Sequence, residues 1–190
     1  MSGNEGEDGT VDRRVARTRQ ALLEAFNALV LSRPYEDIRV GDIVARADVG
    51  RSTFYEHYSG RDAIHLDALA RPFAILADAV AGTAGEAKGE DRLAWLMAHF
   101  WENRARARST FSDPRRAAVA RLLAGLIGTR LESRPGSKDL PVDLVAVQLA
   151  EGHLGLLRAW VHGEISARPA EIADLIRRSS KAALDVLAED

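Results

Sequence analysis

Two short segments with helical spacing of apolar residues adjoin near the N-terminus, at about 40–47 and 51–58, with only three residues between them. In the second segment Phe54 and Tyr58 are four apart, which places them on one face of a helix. Helices joined by so short a turn pack against each other, and the remaining face of the second helix stays free for other contacts. This pair of helices constrains the fold more than any other feature of the chain.

Helical spacing continues through the rest of the chain, and no segment alternates between apolar and polar residues as a strand would. The spacing predicts an all-α fold with two loops, at 82–91 and 133–140, where Gly, Ser and charged residues collect. Besides the adjoining pair, helices are predicted at 13–32, from Arg61 onward, at 93–106, 114–131 and 142–162, and from Pro169 onward.

The pattern divides the chain into three parts. Residues 1–12 are predicted to be a disordered acidic tail, because Gly, Ser and acidic residues offer almost nothing to bury. Residues 13–69 form a predicted three-helix module with its helix-turn-helix at about 39–58, and residues 70–190 form a C-terminal helical domain. The tail is left out of the predicted fold.

Charge is distributed unevenly along the chain. The net charge is -2, yet residues 13–62 carry nine Lys or Arg against seven Asp or Glu. A local basic face of this kind favours contact with nucleic acid. The cluster of four arginines between 13 and 19 fits such a face, and it equally fits an ordinary solvated helix surface.

Several classes of function lack their motifs. The sequence has no cysteine, five scattered histidines, and none of the HExxH, GxSxG, GxGxxG or phosphate-loop patterns. No catalytic residue, metal site or cofactor is therefore predicted. No apolar run approaches the ~20 residues of a membrane span and no secretory signal is visible, so we expect no membrane partner and a cytoplasmic location.

The outward face of the second short helix carries side chains suited to DNA. Arg51 begins this helix, and its guanidinium can donate two hydrogen bonds to a guanine, worth ~1–3 kcal/mol of discrimination between bases. Ser52 and Thr53 are short enough to let the helix enter a major groove. Tyr55 and His57 have donors that reach phosphate oxygens, which set register more than sequence preference.

Neighbouring positions extend this predicted DNA-binding set. Arg39 and Gly41 lie at the start of the first short helix, and Arg61 lies at the start of the fourth helix, where its charge adds to the helix's free amides. Glu56 could accept a hydrogen bond from a cytosine amine or pair with an arginine of its own chain, and the pairing is the favoured interpretation.

These residues carry a resemblance to a known family. Residues 40–45, VGDIVA, followed by 49–58, VGRSTFYEHY, resemble the signature of TetR/AcrR regulators, and the likeness covers roughly residues 13–69. It implies a sequence-specific, DNA-binding transcriptional regulator, most simply a repressor that a small-molecule effector releases from a double-stranded operator. The alternative is an effector-binding or interaction protein that has lost DNA binding. The resemblance also implies DNA contacts by Arg51, Ser52, Thr53, Tyr55 and His57, with Arg61 in place of a phosphate-binding Lys.

The chain departs from the family's pattern at three positions. Arg39 stands where the family usually has Thr, and it could contact phosphate directly. Asp48 stands in the turn where Gly is usual, and Asp tolerates the left-handed conformation better than most residues. Gly50 replaces the usual capping Ser, which weakens the cap of the recognition helix.

A weaker likeness lies in the C-terminal part, at 152–160, GHLGLLRAW, followed by a last helix that begins with Pro. It implies a homodimer formed through the last two long helices, which would hold two recognition helices ~34 Å apart, one DNA turn. Trp160 fits plain core equally well. The predicted interface residues are Gly152, Gly155, Trp160, Ile172, Leu175 and Ile176.

The family's C-terminal domain commonly encloses a small-molecule pocket, so an aromatic-rich stretch is the place to look for one. Aromatic residues at helical spacing also build any ordinary core, and a histidine among them can simply be satisfied there. The predicted pocket residues are Trp95, His99, Phe100, Trp101, Phe111 and His153.

Overall fold

The computed structural model describes residues 5–82, 91–112, 114–133 and 141–187, with side chains described from Arg13 to Asp185. Within these ranges the chain is helical and contains no strand, which confirms the predicted all-α class. A short 3-10 turn, Tyr35–Asp37, separates the first two helices. The helices are α1 Glu5–Ser32, α2 Val40–Ala47, α3 Arg51–His57, α4 Arg61–Val80, α5 Arg92–Glu102, α6 Arg104–Phe111, α7 Arg116–Glu132, α8 Val142–His162 and α9 Pro169–Leu187.

Helix α1 begins at Glu5, earlier than the predicted start at Arg13. The backbone of residues 5–12 is therefore helical, where the sequence predicts a disordered tail. Extending an existing helix adds one hydrogen bond per residue and avoids the unfavourable nucleation step, so a helix can continue through a segment whose composition is poor in apolar residues. Residues 1–4 of the predicted tail, and most of the two predicted loops, lie outside the described residues.

The predicted helix at 93–106 is interrupted at Asn103, which ends α5 and precedes α6. The Asn103 side-chain amide donates to the His99 carbonyl at 3.0 Å, and the Asn103 backbone N–H donates to the same carbonyl at 3.1 Å, so Asn103 caps the end of α5. Apolar spacing could not reveal α6, because residues 104–111 are rich in arginine and carry few apolar side chains.

Contacts between Cα atoms divide the chain into two units, Met1–Leu69 and Ala70–Asp190. The core of the first unit is built from α1 to α4 around Phe26, Ile43 and Phe54, none of which exposes more than 1% of its surface. The second short helix thus buries the face that the sequence predicted. The other core residues of this unit are Leu22, Ala25, Leu29, Tyr35, Ile38, Tyr58 and Ile64.

In the second unit α7 packs along α8, α6 also packs on α8, and α5 packs on α9. Phe73, Phe111 and Trp160 are among its largest fully buried side chains. Arg130 ties α7 to α4 by donating to Asp78 at 2.5 Å. In the described part of the chain, no helix combines the length and the apolar character needed to cross a membrane.

Candidate nucleic-acid interface

The start of α2 is held by the carboxylate of Asp42. This carboxylate accepts a 2.8 Å hydrogen bond from the backbone N–H of Arg39 and lies 2.9 Å from Nη2 of Arg33. The backbone hydrogen bond, and after it the Arg33 guanidinium, hold the pKa of Asp42 below its usual range. The side chain of Arg39 is exposed, as a phosphate contact requires.

The turn between α2 and α3 depends on a left-handed residue. Asp48 has φ 54° and ψ 46°, and its backbone N–H donates to the Val44 carbonyl. This confirms that Asp48 takes over the conformation for which glycine is usual at such a turn. Gly50 then precedes α3 in an ordinary extended conformation, with no side chain to cap the helix.

Helix α3 has one buried face and one open face. Phe54 is fully buried and Tyr58 exposes 6% of its surface. Tyr55 is 54% exposed, and its ring lies edge-on against Phe54 with centroids 5.4 Å apart. The predicted DNA-contacting residues Arg51 and Ser52 are exposed, as is Glu56, and Thr53 and His57 are half-buried.

Gly41 lies in the first turn of α2, half-buried, and the end of the Arg51 side chain comes close to it. A Cβ on Gly41 would lie 3.3 Å from Nη2 of Arg51. The structure therefore brings together two residues of the predicted DNA-binding set from the two helices of the motif.

Arg61 has a structural role that the sequence did not predict. Its Nη1 donates to the carbonyls of Tyr35, Glu36 and Ile38 at 3.1, 3.2 and 2.7 Å. Its guanidinium carbon also lies 4.3 Å from the centre of the Tyr35 ring. Arg61 thus fastens the start of α4 to the segment that leads into α2, and its predicted contact with phosphate stays a prediction.

The Tyr35 hydroxyl donates to the carboxylate of Asp62 in the first turn of α4. Burial, together with this carboxylate, raises the pKa of Tyr35 to about 12. The start of α4 at Arg61 is as predicted.

Asp67 on α4 is an organising residue that sequence reasoning missed. Its carboxylate accepts two hydrogen bonds from Arg19 of α1, at 2.9 and 2.6 Å, and one from the Tyr58 hydroxyl at 2.6 Å. Burial alone would raise the pKa of Asp67, but these donors hold it below its usual value. Since Asp67 follows the buried Ile64 by three residues, an acidic residue on the inward face of α4 was the available signal.

The predicted pocket residues occupy different settings in the second unit. Trp95 is 60% exposed and stacks on the exposed His99 at 5.5 Å, and the assignment of these two residues to an effector pocket stays a prediction. Phe100 and Phe111 are buried and pack edge to face at 5.6 Å, which favours the core interpretation for both. Trp101 stacks on Trp160 with centroids 5.1 Å apart.

His153 is a satisfied core histidine. Its Nε2 lies 2.8 Å from Oγ of Ser180, and that hydroxyl donates its single hydrogen to the Ile176 carbonyl at 2.7 Å. Nε2 must therefore carry a hydrogen and donate to the serine. Burial lowers the pKa of His153 to about 4, which keeps the ring neutral.

The predicted interface residues divide in a similar way. Trp160, Ile172 and Ile176 expose 2% of their surface or less in the single chain. These three side chains are already covered in the single chain, which is the plain-core alternative for Trp160, and their assignment to a dimer interface stays a prediction. Leu175 is 49% exposed and Gly152 is exposed, whereas Gly155 is half-buried.

Known proteins with similar folds are regulators of the TetR family. The repressor AlkX of Dietzia sp. strain DQ12-45-1b, implicated in biodegradation of n-alkanes, is 12% identical over 90% of this chain and 97% of its own, with a TM-score of 0.57. The repressor FadR of Thermus thermophilus, solved with lauroyl-CoA, is 20% identical over 87% of this chain and 94% of its own, also with a TM-score of 0.57. A TetR regulator of Streptococcus agalactiae 2603V is 23% identical over 92% of this chain and 99% of its own, with a TM-score of 0.51.

Sequence comparison gives a shorter match. The HTH-type transcriptional regulator YxbF of Bacillus subtilis strain 168 is 34% identical over 79 residues, which are 41% of this chain. The match spans 21% of the length of that protein. No family model matches the sequence. With its helix-turn-helix and its all-α second unit, the chain has the fold of the TetR-family transcriptional regulators.

Proposed function

We propose that this protein is a sequence-specific DNA-binding transcriptional regulator, and that it acts as a repressor. The observation that carries the proposal is the two-sided character of α3. One face anchors the helix in the core through Phe54 and Tyr58, and the other leaves Arg51, Ser52 and Tyr55 exposed. A short helix held in this way can enter a major groove without unfolding any of its supports.

The DNA-contacting residues that we propose fall into two groups, one that contacts bases and one that contacts phosphates. Arg51 is the first residue of α3. The N-terminal end of a recognition helix is the end that contacts base edges, and an arginine guanidinium can donate two hydrogen bonds to guanine O6 and N7. Tyr55, His57 and Arg39 offer donors to phosphate oxygens, which fix register and add affinity for any duplex. Arg51 is accordingly the proposed source of sequence preference.

We propose that the protein binds its operator as a homodimer through α8 and α9. Both helices leave apolar side chains exposed in the single chain, with Leu144 71%, Val147 54% and Leu175 49% accessible. A second copy that covers these side chains would remove their apolar surface from water. A two-fold dimer would also present two recognition helices to successive major grooves.

The dimer is tested by placing a carboxylate on this surface. Leu175→Glu should shift the protein toward monomer in sedimentation velocity and should weaken DNA binding with it. Trp95→Glu is the control, because Trp95 is also an exposed large apolar residue, 60% accessible, but lies on α5. If Leu175→Glu and the control keep the same sedimentation coefficient, the proposed surface is wrong.

We propose further that a small-molecule effector releases the operator, and that the second unit binds this effector without chemical turnover. FadR, similar in fold, was solved with lauroyl-CoA, which makes acyl-CoA thioesters a reasonable first panel. Helix α4 carries residues of both units, so effector binding that changes its course would alter the recognition module. An effector shifts the equilibrium between the form that binds the operator and the form that does not only if it has a higher affinity for the second form.

DNA binding itself is tested by selection from a pool of random duplexes with the full chain, at a stated salt concentration because phosphate contacts depend on salt. The proposal predicts enrichment of a palindrome whose half-sites are about 10 base pairs apart from centre to centre. No enrichment above background would favour an interaction protein that has lost DNA binding. A regulator that reads chromosomal DNA acts where that DNA is, which in the bacteria that supply the similar proteins is the cytoplasm.

A further inference from the structure

One contact between α2 and the recognition helix involves Gly41, a glycine that the backbone conformation does not require. Among the described residues, the glycines with a left-handed φ are Gly82 and Gly163, so the conformation at Gly41 is open to any residue. Glycine is also a poor helix former, second only to proline. The space around Gly41 supplies a reason for glycine at this position.

That space is occupied by the end of a side chain from α3. Nη2 of Arg51 lies 3.3 Å from where a Cβ on Gly41 would be, which is closer than ordinary van der Waals contact between such atoms. The guanidinium thus lies against the bare backbone of the first turn of α2. Any larger residue at position 41 would have to displace it.

We propose that Gly41 is a positioning residue for Arg51 and so helps to determine which base pair the protein prefers. An exposed arginine has many rotamers, and fixing it on DNA costs conformational entropy. A guanidinium that already lies against the first turn of α2 has fewer orientations to lose. The size of the side chain at position 41 then selects which orientations remain. This inference rests on the proposed function, and it replaces direct DNA contact as the role of Gly41.

A size series at position 41 tests the inference in the free protein and on DNA. Gly41→Ala adds the one atom that would lie near Arg51, and Gly41→Leu fills the space beyond it. Gly125→Leu is the matched control, because Gly125 is an exposed helical glycine of α7 where a Cβ would meet nothing within 4 Å. Replacement of either glycine should raise the melting temperature by about 2–4 °C, since both replacements improve helix propensity.

The free protein gives a readout that needs no DNA. The Nε–Hε resonance of Arg51 in a 15N-correlated spectrum, assigned by its loss in Arg51→Ala, should shift in Gly41→Leu and stay in place in Gly125→Leu. An Arg51 resonance that is the same in Gly41→Leu and in the unmodified protein would overturn the inference, whatever the DNA experiments show.

On DNA, the readout is discrimination at the base pair that Arg51 reads, measured as the ratio of Kd values for duplexes that differ only there. A well-placed arginine gives a ratio of about 5 to 150. Gly41→Ala should lower this ratio slightly and Gly41→Leu by about fivefold, toward that of Arg51→Ala. In the Arg51→Ala background, Gly41→Leu should change the ratio and the affinity less than about twofold, because the guanidinium that Gly41 positions is absent.

Other outcomes separate this inference from the proposed function. An unchanged ratio in Gly41→Leu, with Arg51→Ala still effective, would reject the role of Gly41 and leave the proposed function standing. An equal loss of affinity in both backgrounds would show that position 41 meets DNA directly, which also overturns the inference. If the unmodified protein prefers no sequence at all, the proposed function fails and the inference about base preference fails with it.

Discussion

The Tyr58 hydroxyl donates a 2.6 Å hydrogen bond to the carboxylate of Asp67, which also accepts two hydrogen bonds from Arg19. One carboxylate on α4 therefore joins the end of the recognition helix to α1. Tyr58 follows the last residue of α3 directly, so this contact fixes where the recognition helix ends relative to its support. The open face of α3 depends on such supports for its position.

Removal of this carboxylate should weaken the N-terminal unit. Asp67→Asn leaves Arg19 without an anionic partner and should lower the free energy of unfolding by about 1–2 kcal/mol in urea titrations. Asp185→Asn is the control, because it breaks an exposed pair with Lys181 within one helix and should cost less than about 0.5 kcal/mol. Equal effects of the two substitutions would contradict the organising role of Asp67.

Alkaline pH should destabilise the same unit. The pKa of Tyr58 is raised to about 12 by burial and by Asp67, and that of Tyr35 to about 12 by burial and by Asp62. Because an unfolded tyrosine titrates near 10, the stabilisation is complete below about pH 10 and is lost as the pH rises toward 12.

The measurement is the free energy of unfolding at several pH values from 9 to 12. Tyr58→Phe and Tyr35→Phe should each flatten the decline, whereas Tyr55→Phe keeps both responsible hydroxyls and should leave the decline intact. If stability declines equally steeply in all three variants, titratable groups other than Tyr35 and Tyr58 cause the loss of stability at alkaline pH.

Arg61 should matter for stability as well as for DNA. Arg61→Ala removes hydrogen bonds to three backbone carbonyls and should cost about 2 kcal/mol of unfolding free energy. Arg178→Ala changes the charge equally at an exposed pair in α9 and should leave stability within about 0.5 kcal/mol. If Arg61→Ala weakens DNA binding at unchanged stability, phosphate contact is its main role instead.

The left-handed turn residue gives a further test. Asp48→Gly should keep or raise the melting temperature, because glycine adopts φ 54° without strain. Asp48→Val should lower unfolding free energy by about 1–2 kcal/mol, because a β-branched residue is disfavoured there. Thermal unfolding of the two variants checks the order, and a valine variant as stable as the glycine variant would contradict the account of the turn.

The class of fold and the open face of α3 could be predicted from apolar spacing. Phe54 and Tyr58 are buried as their spacing indicated, and Arg51 and Tyr55 on the same helix are exposed. Spacing succeeds here because the first unit is small and each of its helices has one inner face.

Contacts between distant residues could not be predicted in the same way. Asp67 meets Arg19 across 48 positions of sequence, and Arg61 meets the Tyr35 carbonyl across 26. Such pairings depend on three-dimensional packing. In the second unit, apolar spacing marked Ile176 and Leu175 alike, although Ile176 is buried and Leu175 is 49% exposed.

The central claim is that the exposed face of α3 reads sequence, and it is tested most directly by selection from random duplexes with the unmodified protein, with Arg51→Ala and with the control Arg178→Ala. The account predicts a palindromic motif for the unmodified protein and the control, and loss of preference at one position of each half-site for Arg51→Ala. An Arg51→Ala protein that selects the same motif at every position would contradict it.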